Sequence, residues 1–338
     1  MGVQSQIKIS QISHHQSHFL ESHFLETQLI WTIRQGQAPI ILINMSNRRK
    51  NPADRQRPRW RIALTCGVAI AGFAANSLLA RGALGGGLID ASTYTLLRLS
   101  SGALLLGAIS LLRRQSLAGH GSWTAGAALA AYAATFSFSY LRIGAALGAL
   151  VLFPTVKLSL LLWGARRGQH PAKIEWIGAS IALAGLVGLS LPGARQPDPL
   201  GIALMIIAGI AWAIYTVEGR GSLAPFQATA RNFMLAAASA APLVVLSLSG
   251  GHATPRGILL AAISGAFASG LIYWLWYTVV PALSAMQMGM AQLAVPALAT
   301  FGAVFFLGEV LTARIITAAS AIFVGIGLSL ARLVVQLL

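Results

Sequence analysis

The sequence predicts an all-α membrane protein, with ten transmembrane helices arranged as two inverted five-helix repeats. Three observations predict it. The 338-residue chain is 56% hydrophobic and only 9% charged, with a mean hydropathy of +0.71, whereas a soluble chain carries about a quarter charged residues. From Arg61 onward, apolar stretches alternate with short polar breaks, each stretch as long as the roughly 18–24 residues that cross a bilayer. Two of these stretches end in similar sequences, half a chain apart. Disorder, a coiled coil or a collagen-like repeat would need more charge or a different period.

The first element is an arm, residues 1–60, rich in Gln, Ser, His, Asn and Arg, with His14, His15, His18 and His23 near a tandem copy of Ser-His-Phe-Leu-Glu at 17–21 and 22–26. Such a composition cannot bury a core, so the arm is expected to be disordered. Met45 opens a basic run through Lys50. Residues 1–44 are therefore expected to be an upstream extension from a misassigned start. The apolar run 38–43 is too short to span.

The first repeat is expected over 61–192, with spans at 62–80, 92–112, 122–141, 144–163 and 174–191. The second is expected over 199–335, with spans at 199–217, 232–249, 257–279, 283–307 and 311–331. Ten-residue alternating segments of a membrane barrel are absent, and helices satisfy every backbone group within the segment. Small residues crowd the spans, as at Gly144 and Gly148, and permit close helix packing. The fifth span ends Ala182 to Leu191 (ALAGLVGLSL) and the tenth ends Ala321 to Leu330 (AIFVGIGLSL), each preceded by a span containing a proline, Pro154 and Pro296. Five spans per copy is an odd number, so the second copy enters the membrane from the opposite side. That is the architecture of alternating-access carriers.

Charge fixes the expected orientation. Lys and Arg flank the spans 15 on one side and 5 on the other, which puts both termini in the cytoplasm. The net charge of +16 is scattered singly between apolar blocks rather than gathered on one face, so the expected partner is an anionic lipid surface and not nucleic acid. The single Cys66 lies in an apolar segment and supports neither an internal disulfide nor a Cys-based metal site. No metal or cofactor is expected.

The second half carries a resemblance. Gly209 to Val217 (GIAWAIYTV), Ser269 to Tyr277 (SGLIYWLWY), and Pro296 followed by Leu307 to Thr312 (LGEVLT) resemble the second repeat of EamA-type transporters of the drug/metabolite transporter superfamily. The first half is similar but weaker: Phe73 to Asn76 (FAAN) stands where the family often shows Trp-Gly-Ser-Asn, Leu97-Arg98 resembles its second-helix Leu-Arg, and the Gly-Glu expected after Pro154 is replaced by Gly164 to Arg167 (GARR). The resemblance implies a ten-helix carrier with a central cavity, commonly an exporter of amino acids or similar small metabolites, in a bacterial inner membrane. It is uninformative about the particular substrate.

Candidate residues follow from cost. A charge inside a span is expensive unless paired or solvated, which singles out Arg98 and Lys157; each either snorkels to an interface or faces a cavity that suits a substrate carboxylate. No carboxylate sits deep in a span, so Glu309 at the end of the ninth is the best coupling candidate. Trp212, Tyr215, Tyr273 and Trp276 are aromatic candidates for cavity walls, with an interfacial belt as the alternative for the span-eight pair. Asn76, Gln287 and Gln292 are expected to bond another helix or a ligand. Pro154 and Pro296 are hinge or gate candidates. No phosphate loop, metal cluster or nucleophile–base pair appears, so no catalytic residue is expected. The alternatives are a membrane-embedded enzyme, a lipid-handling protein or a non-transporting sensor. The expected partners are a small-molecule substrate and the bilayer, with a homodimer as one possible assembly.

Overall fold

A computed structural model describes residues 58–190, 198–307 and 313–335. Almost all of the predicted arm, with its histidines, and the coupling candidate Glu309 lie outside the described residues. The described chain is all-helical: α1 Arg59–Ala80, α2 Ala91–Leu112, α3 Trp123–Arg166, α4 Lys173–Ser190, α5 Pro199–Glu218, α6 Pro225–Ser239, α7 Leu243–Gly250, α8 Pro255–Ile263, α9 Ile272–Val279, α10 Ala285–Gln292, α11 Ala294–Leu307 and α12 Ala313–Val335. A π-helical segment, Ser264–Leu271, joins α8 to α9, and another, Arg81–Gly85, extends α1.

Six helical segments among the described residues are long and apolar enough to cross a membrane, or seven if the bent pair α6 and α7 counts as one span. They coincide with the predicted spans 62–80, 92–112, 144–163, 199–217, 257–279 and 283–307, and the bent pair with 232–249. The predicted spans 122–141, 174–191 and 311–331 also fall on helices, namely the first half of α3, α4 and α12. The exterior is apolar: Leu104, Leu111, Leu112, Leu248, Phe305 and Phe306 are all exposed. So broad an apolar surface is stable only against lipid.

The boundaries have local causes. Asp90, Ser122, Asp198, Thr254 and Ser284 each accept a backbone N–H of the following first turn and so start α2, α3, α5, α8 and α10. At α10 the cap is reciprocal, since Gln287 accepts the Ser284 backbone N–H. Gln287, expected to bond another helix or a ligand, is thus a capping residue, with no bond to another helix among the described residues. Gly144, at φ 73° and ψ 177°, breaks α3 into two spans where only Arg142-Ile143 marked a boundary in the sequence. A residue with a Cβ rarely takes that φ. The bend of 55° between α6 and α7 falls just before Pro242.

Both halves of α3 pack along α5, α2 packs on α6 and on the π segment after α8, and α4 packs on α12. At one end of the bundle the loop after α1 is tied to the loop before α8. Ile89 and Ala253 form a β-bridge, Asp90 N–H donates to the His252 carbonyl at 2.9 Å, and Thr254 N–H donates to the Leu88 carbonyl at 2.8 Å.

Candidate functional site

Between α1, α3, α5, α9, α10 and α11 lies a cavity of about 1020 Å³. Its mouth is the tied end of the bundle, where Arg81, Gly85, Gly87, Leu88 and Arg256 stand. Its walls are aromatic, from Phe73, Tyr132, Phe136, Tyr140, Trp212 and Tyr273, and its uncharged polar groups include Asn76 and Gln292.

Each wall residue is held by a partner. The Trp212 indole N–H donates to the Gln292 side-chain oxygen, and Gln292 Nε2 donates to the Met288 carbonyl at 3.0 Å. The Trp212 ring meets Tyr132 at 4.9 Å, Phe73 at 5.4 Å and Tyr273 at 4.7 Å between centroids. Such edge and tilted contacts are the favoured aromatic geometries. Asn76 Oδ1 accepts from Ser264 Oγ at 2.6 Å, which is interhelical bonding to the π segment. The wider turn of that segment directs both Ser264 and Ser269 at α1 and α2.

Behind this floor sits Arg98. It is only 1% exposed, so it does not snorkel. Its Nε donates to Ser269 Oγ at 3.0 Å and its Nη2 to the Tyr273 hydroxyl at 2.5 Å, while its guanidinium lies 5.3 Å from the Tyr132 ring centre. Nη1 has no hydrogen-bond partner among the described residues. Gly265 lets the π segment press against α2 beside Arg98; a Cβ there would fall 2.0 Å from the Arg98 carbonyl oxygen. Lys157 is also buried, on the second half of α3, and its ammonium donates to Met290 Sδ at 2.9 Å.

The sequence candidates thus divide. Asn76, Trp212, Tyr273, Gln292 and Pro296 line the cavity. Arg98, Lys157, Tyr215 and Trp276 are buried in the layer behind it, the Trp276 indole donating to Thr216 Oγ1 at 3.3 Å. The span-eight aromatics Tyr273, Trp276 and Tyr277 are core residues and not an interfacial belt. Pro154 is not part of the lining, although Phe153 beside it is; the backbone of α3 departs from helical geometry at Gly144 instead. Pro296 stands next to the break between α10 and α11. The residues missed were Tyr132, Phe136 and Tyr140. Their spacing of four puts three rings on one helical face, a signal present in the sequence.

Outside the spans, two carboxylates hold helix ends. Burial pushes the Asp90 carboxyl up, but hydrogen bonds from Ser92, Thr93 and the His252 N–H outweigh it and hold the group below its ordinary value. Asp198 is lowered chiefly by its bond to Arg142, an ion pair of 2.9 Å.

The EamA-like transporter family matches residues 199–331. An uncharacterized protein of Pseudomonas aeruginosa, PA1977, is 42% identical over 275 residues, which is 81% of this chain and 96% of that protein. This chain belongs to the EamA-like transporter family. The Escherichia coli K12 protein YedA, described as an uncharacterized inner membrane transporter, is 30% identical over 37% of this chain and 39% of its own length. The uncharacterized transporter YwfM of Bacillus subtilis is 27% identical over 54% of this chain and 64% of its own. A solved crystal structure superimposes with a TM-score of 0.67 at 19% identity, covering 80% of this chain and 98% of that one, and so shares the fold. The EamA-like chain described here is accordingly an integral membrane protein and a membrane transporter.

Proposed function

We propose that the protein is a secondary carrier that exports amino acids or similar small metabolites by alternating access through the central cavity. The observation that carries this reading is the cavity itself. It is large enough for a metabolite, walled by aromatic rings, reached from one end of the bundle and backed by a bonded layer of buried side chains. Asn76, Trp212, Tyr273 and Gln292 contact the substrate in this reading, with Arg98, Lys157, Tyr215 and Trp276 behind them. Pro296, and Pro154 at the matching place, provide the bends at which the helices rearrange. Glu309 remains the coupling candidate.

The ten-span, two-repeat layout is supported by how the elements pair. If α5 to α12 repeat the pattern of α1 to α4, then α1 corresponds to α5, α2 to α6 with α7, the halves of α3 to α8 with α9 and α10 with α11, and α4 to α12. Under that exchange, the packing of α5 on both halves of α3 maps onto the packing of α1 on α9 and α11. The α2–α6 and α4–α12 pairs map onto themselves. Charge supports the expected orientation: Arg113, Arg114, Arg166, Arg167, Lys173, Arg220 and Arg231 gather at the end opposite the cavity mouth, which favours that end as the cytoplasmic one and the mouth as external.

The test is flux in proteoliposomes loaded with a mixed pool of amino acids and small organic anions, with and without a pH gradient. Saturable movement of one class, lost in Trp212→Ala protein that remains folded, is the expected result. Absence of flux for every member of the pool argues for a sensor or lipid-handling role.

A further inference from the structure

We propose that the cavity is built for a substrate carboxylate and that Arg98 supplies the countercharge from behind the floor, a reading that rests on the transport function above and specifies its substrate as an organic anion. Three observations converge. First, the charged side chains among the described lining residues are Arg81 and Arg256, both at the mouth, and no Asp or Glu is among the described lining residues. Second, Arg98 lies buried behind the lining residues Tyr132 and Tyr273, bonded to one and stacked near the other. Third, Arg98 Nη1 is a buried donor with no hydrogen-bond partner among the described residues.

Physical chemistry connects them. A buried guanidinium is normally met by a carboxylate, because hydroxyls and rings return only part of the hydration it loses. Arg98 has two hydroxyls and a ring, and the described carboxylate nearest to it in the chain, Asp90, is bonded elsewhere, to the α2 cap and the His252 N–H. Its positive charge acts on the cavity beside it, across the Tyr132 and Tyr273 side chains. Lys157 adds a second buried cation on α3, with no carboxylate partner among the described residues. An anion in the cavity completes this arrangement, and a cation would be repelled by it. The Tyr273 hydroxyl accepts from Arg98 and its residue lines the cavity, so it stands between the guanidinium and a bound anion and couples the two. Arg98 is thus a positioning residue. Arg256 at the mouth raises the local concentration of the anion and acts on its rate of entry.

The test uses an isosteric pair, 3-phenylpropionate and 3-phenylpropionamide, which differ in charge and little in shape. Binding to purified full-length protein is read from the Trp212 component of the fluorescence, defined as the part lost in Trp212→Phe, and movement is read separately as proteoliposome flux with a potential-sensitive dye. Wild type is expected to bind the acid at least about tenfold better than the amide, as charge-assisted hydrogen bonds imply. Arg98→Gln is expected to erase that ratio and Arg98→Lys to restore part of it. If Arg98→Gln does not fold, Tyr273→Phe decides, since it cuts the link from Arg98 to the cavity and is expected to shrink the ratio. Equal binding of acid and amide by wild type, no binding of either, or a ratio unchanged in Arg98→Gln or in Tyr273→Phe would overturn the proposal. The two readings separate: a binding preference without flux sinks the carrier function and leaves the anion site standing, whereas flux without acid preference does the reverse.

Discussion

The layer around the cavity and the α4–α12 pair are both tightly packed, yet they are built from opposite materials. Around the cavity, the contacts are large rings and polar groups that bond across helices: Trp212 to Gln292, Arg98 to Tyr273, Tyr277 to the Tyr215 carbonyl at 2.7 Å. Between α4 and α12 the contacts are Ala179, Ala182, Leu186, Ala319 and Ile322, with Gly185 and Gly325 each lying against the opposite helix. A Cβ at Gly325 would fall 2.3 Å from the Gly178 carbonyl, and one at Gly185 would fall 2.7 Å from that of Ala318. In lipid there is no hydrophobic drive to bring helices together, so small residues and dispersion hold a purely supporting pair.

Substitutions can break that contrast in a definite order. The largest effect is expected at the backbone contacts that define each region. Gly325→Ala should open the α4–α12 seam and lower stability by about 1–3 kcal/mol or more, and Gly265→Ala should do the same between α2 and the π segment, both visible as lower melting temperatures in detergent. The difference between them sharpens the comparison: a partly folded Gly265→Ala should also lose substrate binding, because it displaces Arg98, whereas Gly325→Ala should retain it.

Next comes Trp212→Phe, which keeps a ring but removes the donor to Gln292. Leaving the buried amide oxygen unpaired should cost about 1–3 kcal/mol, with a larger loss in substrate affinity than in stability. Truncating the tied loop should be milder. Asp90→Ala removes the α2 cap and the bond to the His252 N–H, for about 1 kcal/mol, with the cavity layer unaffected. Smallest of all is the acid response of that carboxylate. Its folded value lies below the ordinary 3.8, so its contribution is fully present above that pH and is lost as pH falls through the folded value. Wild type should therefore lose a small increment of stability below about pH 4, an increment missing in Asp90→Ala, measured by thermal unfolding at stepped pH.

Much of the element pattern was legible in the chain because hydropathy in a bilayer protein is a strong, local signal. The spans around α1, α2, α5 and α8 with α9 follow directly from apolar length. The resemblance carried by Trp212, Tyr273 and Pro296 was visible too. Local chemistry misled where one residue had two uses. Gln287 looked like an interhelical donor and is a cap, since a Ser three residues earlier offers it a nearer partner. The break in α3 was expected between 141 and 144 and falls at Gly144, whose positive φ interrupts the helix, while Pro154 is accommodated inside the second half.

The sequence by itself determined that this is a helical membrane protein, the family to which it belongs and the scarcity of carboxylates within its spans, because each is a property of composition, run length or motif. Only the tertiary structure decided that Arg98 and Lys157 are both buried behind the cavity lining, that Tyr132, Phe136 and Tyr140 line the same space as Trp212, and that Tyr273 both bonds Arg98 and lines the cavity. Those facts depend on contacts between residues more than a hundred positions apart, such as Arg98 with Ser269 and Asn76 with Ser264. The period of a helix says which residues share a face, but the neighbour that face meets is chosen by packing.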